Sequence, residues 1–70
     1  MNYAVKEIKD YDGKYAVDTI GEVYTMKNGE WIRMRKRIKK GYCVVRLSDK
    51  GIVKERFVHR LVAAAFIGDV

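Results

Sequence analysis

The run WIRMRKRIKK, residues 31–40, concentrates the chemistry of this chain. Arg33, Arg35 and Arg37 recur at every second position, with Lys36 and Lys39 among them. On an extended strand, alternate side chains share a face and repeat about every 6.6 Å. That repeat is comparable to the separation of successive phosphates along one nucleic-acid strand. Guanidinium groups set out in this way can neutralise a polyanionic backbone. Trp31 at the head of the run and Tyr42 just beyond it add planar faces suited either to base stacking or to packing. Arg46, Lys54 and Arg56 follow in the next two short runs. A long, charged edge strand that guards a sheet against edge-to-edge pairing is the structural alternative for the same residues.

Other chemistries find less material. His59 is the sole histidine, and no His/Cys/Asp cluster has metal-ligand spacing. A lone histidine at the start of a helix reads as a capping or packing residue. Cys43 lies in an apolar alternating run and reads as a small inward-facing hydrophobe with no base fixed beside it. Asp10 and Asp12 flank a glycine turn, where aspartate is favoured by hydrogen bonds to its own backbone. Gly13 and Gly21 fit neither phosphate-binding glycine spacing. No catalytic residue, metal or cofactor is expected.

The elements that must position the cations are short. Gly13, Gly21, Gly29, Gly41, Gly51 and Gly68 punctuate the chain, and proline is absent. Asp12-Gly13 and Asn28-Gly29 are turn dipeptides, and Asp49-Lys50-Gly51 reads as a three-residue hairpin loop. Strands are expected at 14–18, 22–26, 42–48 and 52–58, with 31–40 read as a further strand. In 42–48, Cys43, Val45 and Leu47 share one face, and Tyr42, Val44, Arg46 and Ser48 the other. In 31–40 the odd positions are mostly cationic and the even ones include Ile32, Met34 and Ile38. From Val58 the period changes. Val58, Leu61, Val62, Ala65 and Phe66 form one helical stripe, with Gly68 placed as a stop. The fold class is therefore α+β: a small antiparallel β-sheet of four to five short strands with one C-terminal α-helix packed on one face. Tyr42, Arg46, Lys54 and Arg56 are expected in one exposed patch, with the Arg33–Lys39 row nearby.

Seventy residues make one small domain, 1–70, burying roughly 60% of its extended surface. The net charge of +6 is segregated: residues 1–30 carry −2 and residues 31–60 carry +9. Such a field selects polyanions as partners. No apolar run is long enough to span a membrane, and the helix is the least basic part, so a membrane partner is not expected. A single cysteine and the absence of an apolar leader point to a reducing, cytoplasmic compartment of a host cell.

Two segments, YDGKYAVDTIGEVYTM (11–26) and GYCVVRLSDKGIVKERFVHRLVAAAFI (41–67), carry a family pattern. Gly13, Tyr15, Val17, Gly21 and Val23 fit its first half. Gly41, Tyr42, Val45, Leu47, Gly51 and the run from Val58 to Ile67 fit its second. Together they resemble the N-terminal DNA-binding module found ahead of the catalytic domain in phage and intron-encoded HNH homing endonucleases. The resemblance implies a β-sheet module with a helix that grips DNA. In that family the catalytic ββα-metal unit, with its histidine base and metal ligands, begins shortly after the AFI segment. His59 corresponds to the histidine of VHR, not to that base, so nuclease activity is not implied for these residues. Asp18-Thr19 stand where the family has Ser-Asn, Glu22 where it has Arg, and Gly68 where it has Pro. The first two changes remove donors or positive charge from a loop that the resemblance places near DNA.

The leading expectation is a small phage or mobile-element protein that binds double-stranded DNA through a basic face. The alternative is a phage-encoded inhibitor that sets the same face against an acidic host protein, such as a nuclease or defence factor. A homodimer is compatible with both, because a small core and an unpaired strand invite a partner.

Overall fold

The computed structural model describes residues 5–68. Among these residues, seven strands precede one helix: β1 (Val5–Glu7), β2 (Tyr15–Asp18), β3 (Val23–Lys27), β4 (Glu30–Arg33), β5 (Arg37–Lys39), β6 (Tyr42–Asp49), β7 (Ile52–Phe57) and α1 (Val58–Phe66). They form a four-stranded sheet of order β1-β2-β3-β4 and a three-stranded sheet of order β5-β6-β7, both antiparallel. The α+β class with a C-terminal helix follows the sequence expectation. The architecture differs in having two sheets rather than one. The cause lies in residues 34–36, which leave the ladder between β4 and β5. Met34 donates its N–H to the Val23 carbonyl at 2.7 Å and turns its side chain onto the core. The chain then crosses from one sheet to the other, and the alternation expected over 31–40 loses its phase.

Three hairpins share one turn chemistry. Lys27 pairs with Glu30, Lys39 with Tyr42, and Asp49 with Ile52, so each loop has two residues. Asn28-Gly29, Lys40-Gly41 and Lys50-Gly51 all have positive φ at both positions. That is the type I′ geometry, whose twist matches that of the flanking strands. The loop expected at 49–51 is thus one residue shorter, with Asp49 inside the ladder. A one-residue change in register moves every side chain of a strand to the other face. Lys54 now stands opposite Leu47, and Glu55 opposite Arg46.

Both sheets and the helix close on one core. Ile8, Tyr11, Tyr15, Val17 and Val23 from the first sheet region meet Val45 and Leu47 of β6 and Val58 and Leu61 of α1. Cys43 packs partly buried against this cluster, as its alternation implies. Tyr15 ties the sheets together: its hydroxyl accepts the Ser48 N–H at 3.1 Å and lies 3.2 Å from the Ser48 Oγ. Gly68 ends the helix at φ 96, its N–H reaching the Ala63 carbonyl at 3.1 Å.

Asp18 is the one fully buried charged residue among those described, at 0% exposure. Its Oδ1 accepts the N–H groups of Ile20 (3.1 Å) and Glu22 (2.9 Å), and its Oδ2 accepts the Tyr24 hydroxyl at 2.7 Å. Burial alone would push this carboxyl up. The Tyr24 hydroxyl and the loop N–H groups outweigh it and hold the group below the usual aspartate range. The same bond raises the Tyr24 phenol. Position 18 is therefore the organiser of the β2–β3 loop rather than a lost surface contact. Because the folded carboxyl is the stronger acid, its contribution to stability is complete above the ordinary aspartate range and is lost as pH falls through the folded value. Asp18→Ala should strand three part-buried donors and cost about 2–4 kcal/mol in urea unfolding. Tyr24→Phe should cost about 1–2 kcal/mol and move the acid-unfolding limb of a circular-dichroism titration to higher pH.

Candidate nucleic-acid interface

The two basic strands and the 34–36 crossover bring four arginines together. Arg33 ends β4, Arg35 lies in the crossover, Arg37 opens β5, and Arg46 stands in the middle of β6. All four line one open groove of about 390 Å³, together with Thr25, Met34 and Val45. They do not form a straight row. Arg33 lies on the Tyr24 face of the first sheet, and Arg37 on the Val44 face of the second. They converge because the chain changes sheets between them.

Two acids thin this field. The Glu22 carboxylate meets Lys36 Nζ at 3.1 Å and Arg33 at 3.7 Å. Lys36 also donates to the Gly21 carbonyl at 3.0 Å, which pins the crossover to the β2–β3 loop. Lys39 donates to Glu55 at 2.8 Å across β6, above Val44. Val44 is 1% exposed although it points away from the core, because this pair and its register neighbours Arg37 and Phe57 enclose it. The Lys39 hydrogen bond, with the positive charges of Lys39, Arg46 and Arg37, holds the Glu55 carboxyl below its ordinary value. Arg35, Arg37 and Arg46 form no ion pair among the described residues.

The aromatic residues are divided. Trp31 is half-buried opposite Met26 on the first sheet and is not part of the arginine groove. Tyr42 is 55% exposed, on the face of Arg37 and Arg46. Its ring stands edge-on to Phe57 at 6.1 Å and tilted against His59 at 5.4 Å. His59 thus packs rather than caps: the helix N-terminus has no side-chain cap, and the ring also lies 5.7 Å from Phe57.

Lys54 and Arg56 do not join this surface. Opposite residues in an antiparallel pair share a face, and theirs are Leu47 and Val45, the core-facing pair of β6. The patch expected from Tyr42, Arg46, Lys54 and Arg56 is therefore split in two by the two-residue turn. Lys54 and Arg56 line a different depression with Tyr11 and Ile52. Sequence reading left out Glu55 altogether and took Glu22 only as a lost arginine, without its pairing to Lys36 and Arg33. Their signal is weak: each is a single acid whose partner lies 14 to 16 positions away in sequence.

No group of three or more His, Cys, Asp and Glu side chains among the described residues is placed to hold a metal ion. No helix of the described residues is long and apolar enough to cross a membrane.

Residues 6–48, which hold the Asp18 loop, both hairpins of the arginine groove and the crossover, match the family described as NUMOD4 motif. The chain belongs to the NUMOD4 motif family. It is 43% identical over 61 residues to DNA endonuclease I-HmuI of Bacillus phage SP01, a match covering 87% of this chain and 34% of the relative. It also matches a solved structure described as DNA binding and cleavage by the HNH homing endonuclease I-HmuI. That match has a TM-score of 0.78 and 42% identity, over 90% of this chain and 36% of the other. The NUMOD4 chain spans about a third of the length of the relatives it matches. The resemblance to the N-terminal module of HNH homing endonucleases is thus shown for this NUMOD4 domain.

A carboxylate NMR titration of the NUMOD4 domain should find Glu55 ionising below the ordinary glutamate range, and Lys39→Met should return it toward that range. Glu55 staying where it was in the variant would mean that the Lys39 hydrogen bond is not what lowers it.

Proposed function

We propose that this domain binds double-stranded DNA without cleaving it, laying the groove of Arg33, Arg35, Arg37 and Arg46 against the phosphates. The observation that carries the reading is the convergence of these four arginines from two sheets on one open groove, three of them in no ion pair among the described residues. A guanidinium group without a protein partner is free to release the counterions of a phosphate backbone. Tyr42, exposed on the same face, adds a planar group that stacks on a base or packs against a sugar. The likeness to a phage endonuclease whose name states action on DNA supports the choice of duplex DNA as partner. Trp31, Lys36 and Lys39 take supporting places: Trp31 packs in the first sheet, and the two lysines order the face through Glu22 and Glu55.

The non-catalytic part of the reading rests on the chemistry at hand. Phosphodiester hydrolysis through a metal needs a base and several ligands held together. His59 is engaged with Tyr42 and Phe57, and in this reading cleavage belongs to other parts of longer proteins of this kind. The single thiol, Cys43, supports a cytoplasmic, reducing location.

Fluorescence anisotropy with a random-sequence duplex tests the reading. Neutralising six phosphates would give log affinity against log salt a slope of about −5. Arg37→Ala with Arg46→Ala should weaken binding and make that slope shallower by about 2. Glu22→Gln should strengthen binding at low salt by releasing Arg33 and Lys36. A slope near zero, or binding indifferent to the double variant, sinks the proposal. In that case a pull-down from nuclease-treated host lysate tests the acidic protein partner.

A further inference from the structure

The register of β6 and β7 leaves a second set of cations with no assigned role. Lys54 and Arg56 project from β7 on the side of Leu47 and Val45, opposite the side that carries Arg37 and Arg46. Both are exposed, because β7 is an edge strand and the core ends at β6. Arg60, exposed on the first turn of α1, joins them. Arg56 lines two neighbouring depressions: one with Lys54 and Lys9, the other with Arg60 and Lys9. Acids are also present there. Glu7 and Asp10 line the second depression, and Asp10 and Asp49 the first. Asp49 leans toward Lys14 at 3.9 Å. Yet Lys54, Arg56 and Arg60 form no ion pair among the described residues. On the arginine-groove side, by contrast, Arg33, Lys36 and Lys39 each face an acid. Three exposed cations held by a strand and a helix, in no ion pair among the described residues, suit an extended polyanion better than a point ligand.

We propose that Lys54, Arg56 and Arg60 form a second phosphate-binding surface on the reverse of the three-stranded sheet, so that one copy of the domain holds two segments of duplex DNA at once. The inference rests on the reading of the arginine groove as the first DNA surface. The two surfaces lie on opposite sides of one β-layer, and a straight duplex cannot lie flat against both. A second segment of DNA is therefore the partner that the geometry assigns. The mixed charge of the second surface makes it the weaker of the two.

A bridging assay decides this. Two short duplexes, one carrying a donor dye and one an acceptor, are mixed with the full chain at low salt, and energy transfer is read beside the anisotropy of either duplex alone. Wild type should bind one duplex and produce transfer between the two. Lys54→Ala, Arg56→Ala and Arg60→Ala together should abolish transfer while leaving single-duplex affinity within about twofold, as independent sites require. All three positions are exposed, and circular dichroism serves as the check that the variant folds. Single-duplex binding without transfer overturns the second surface and leaves the first intact. Transfer that survives in the triple variant also overturns it, since the bridge is then built by other residues or by paired copies. Absence of any single-duplex binding overturns both readings together.

Discussion

The buried carboxylate of Asp18 is the constraint on which the basic face depends. It gathers the N–H groups of Ile20 and Glu22 and the Tyr24 hydroxyl into one loop. A buried charge is tolerated only when its lone pairs are filled, and here three donors fill them. The bond to the Glu22 N–H sets that residue's backbone, and its side chain then reaches Lys36 and Arg33. Lys36 also closes on Gly21, within the same loop. The crossover that carries Arg35 and aligns Arg33 with Arg37 is thus tied to Asp18 through one residue. A loop far from the arginine groove in sequence decides where the groove's walls stand.

The second determinant is parity. A strand places each side chain by counting from its turn, so one residue more or less in a hairpin reassigns a whole face. The three two-residue type I′ turns fix that count for β4, β6 and β7. Two of them use lysine at the first positive-φ position, where asparagine is favoured. Lys40 and Lys50 therefore accept local strain in return for register, and the register sends Lys54 and Arg56 behind the sheet. Charge concentration alone cannot reveal this, because two cations two residues apart share a face whichever face it is.

Order and field oppose each other on this surface. Six cations crowded without acids would repel one another and leave long side chains mobile. Glu22 and Glu55 offset part of that repulsion and hold Lys36 and Lys39 in place, and the Lys39–Glu55 pair also shelters Val44. Each pairing removes positive charge that a phosphate would otherwise meet. The arrangement keeps the lysines as scaffold and leaves Arg35, Arg37 and Arg46 unpaired. Arginine suits the DNA contact proposed for this face, since its planar fork engages phosphate oxygens bidentately.

This division explains what the sequence disclosed and what it withheld. The helix from Val58 to Phe66, the inward Cys43, the β6 alternation and the Gly68 stop were legible because each depends on local period and backbone freedom. The family was legible because glycine, tyrosine and the VHRLVAAAF run recur at fixed spacing. The sheet crossover at 34–36 was not, because its cause is Met34 choosing the core and donating to Val23, a contact that no local pattern encodes. The same holds for Asp18, whose type marks a surface loop and whose burial depends on donors folded around it. The arginines thus gather along one groove, but not in the straight row that an unbroken strand would give. Their residue types follow from composition, but their geometry follows from one carboxylate, one methionine and three turns.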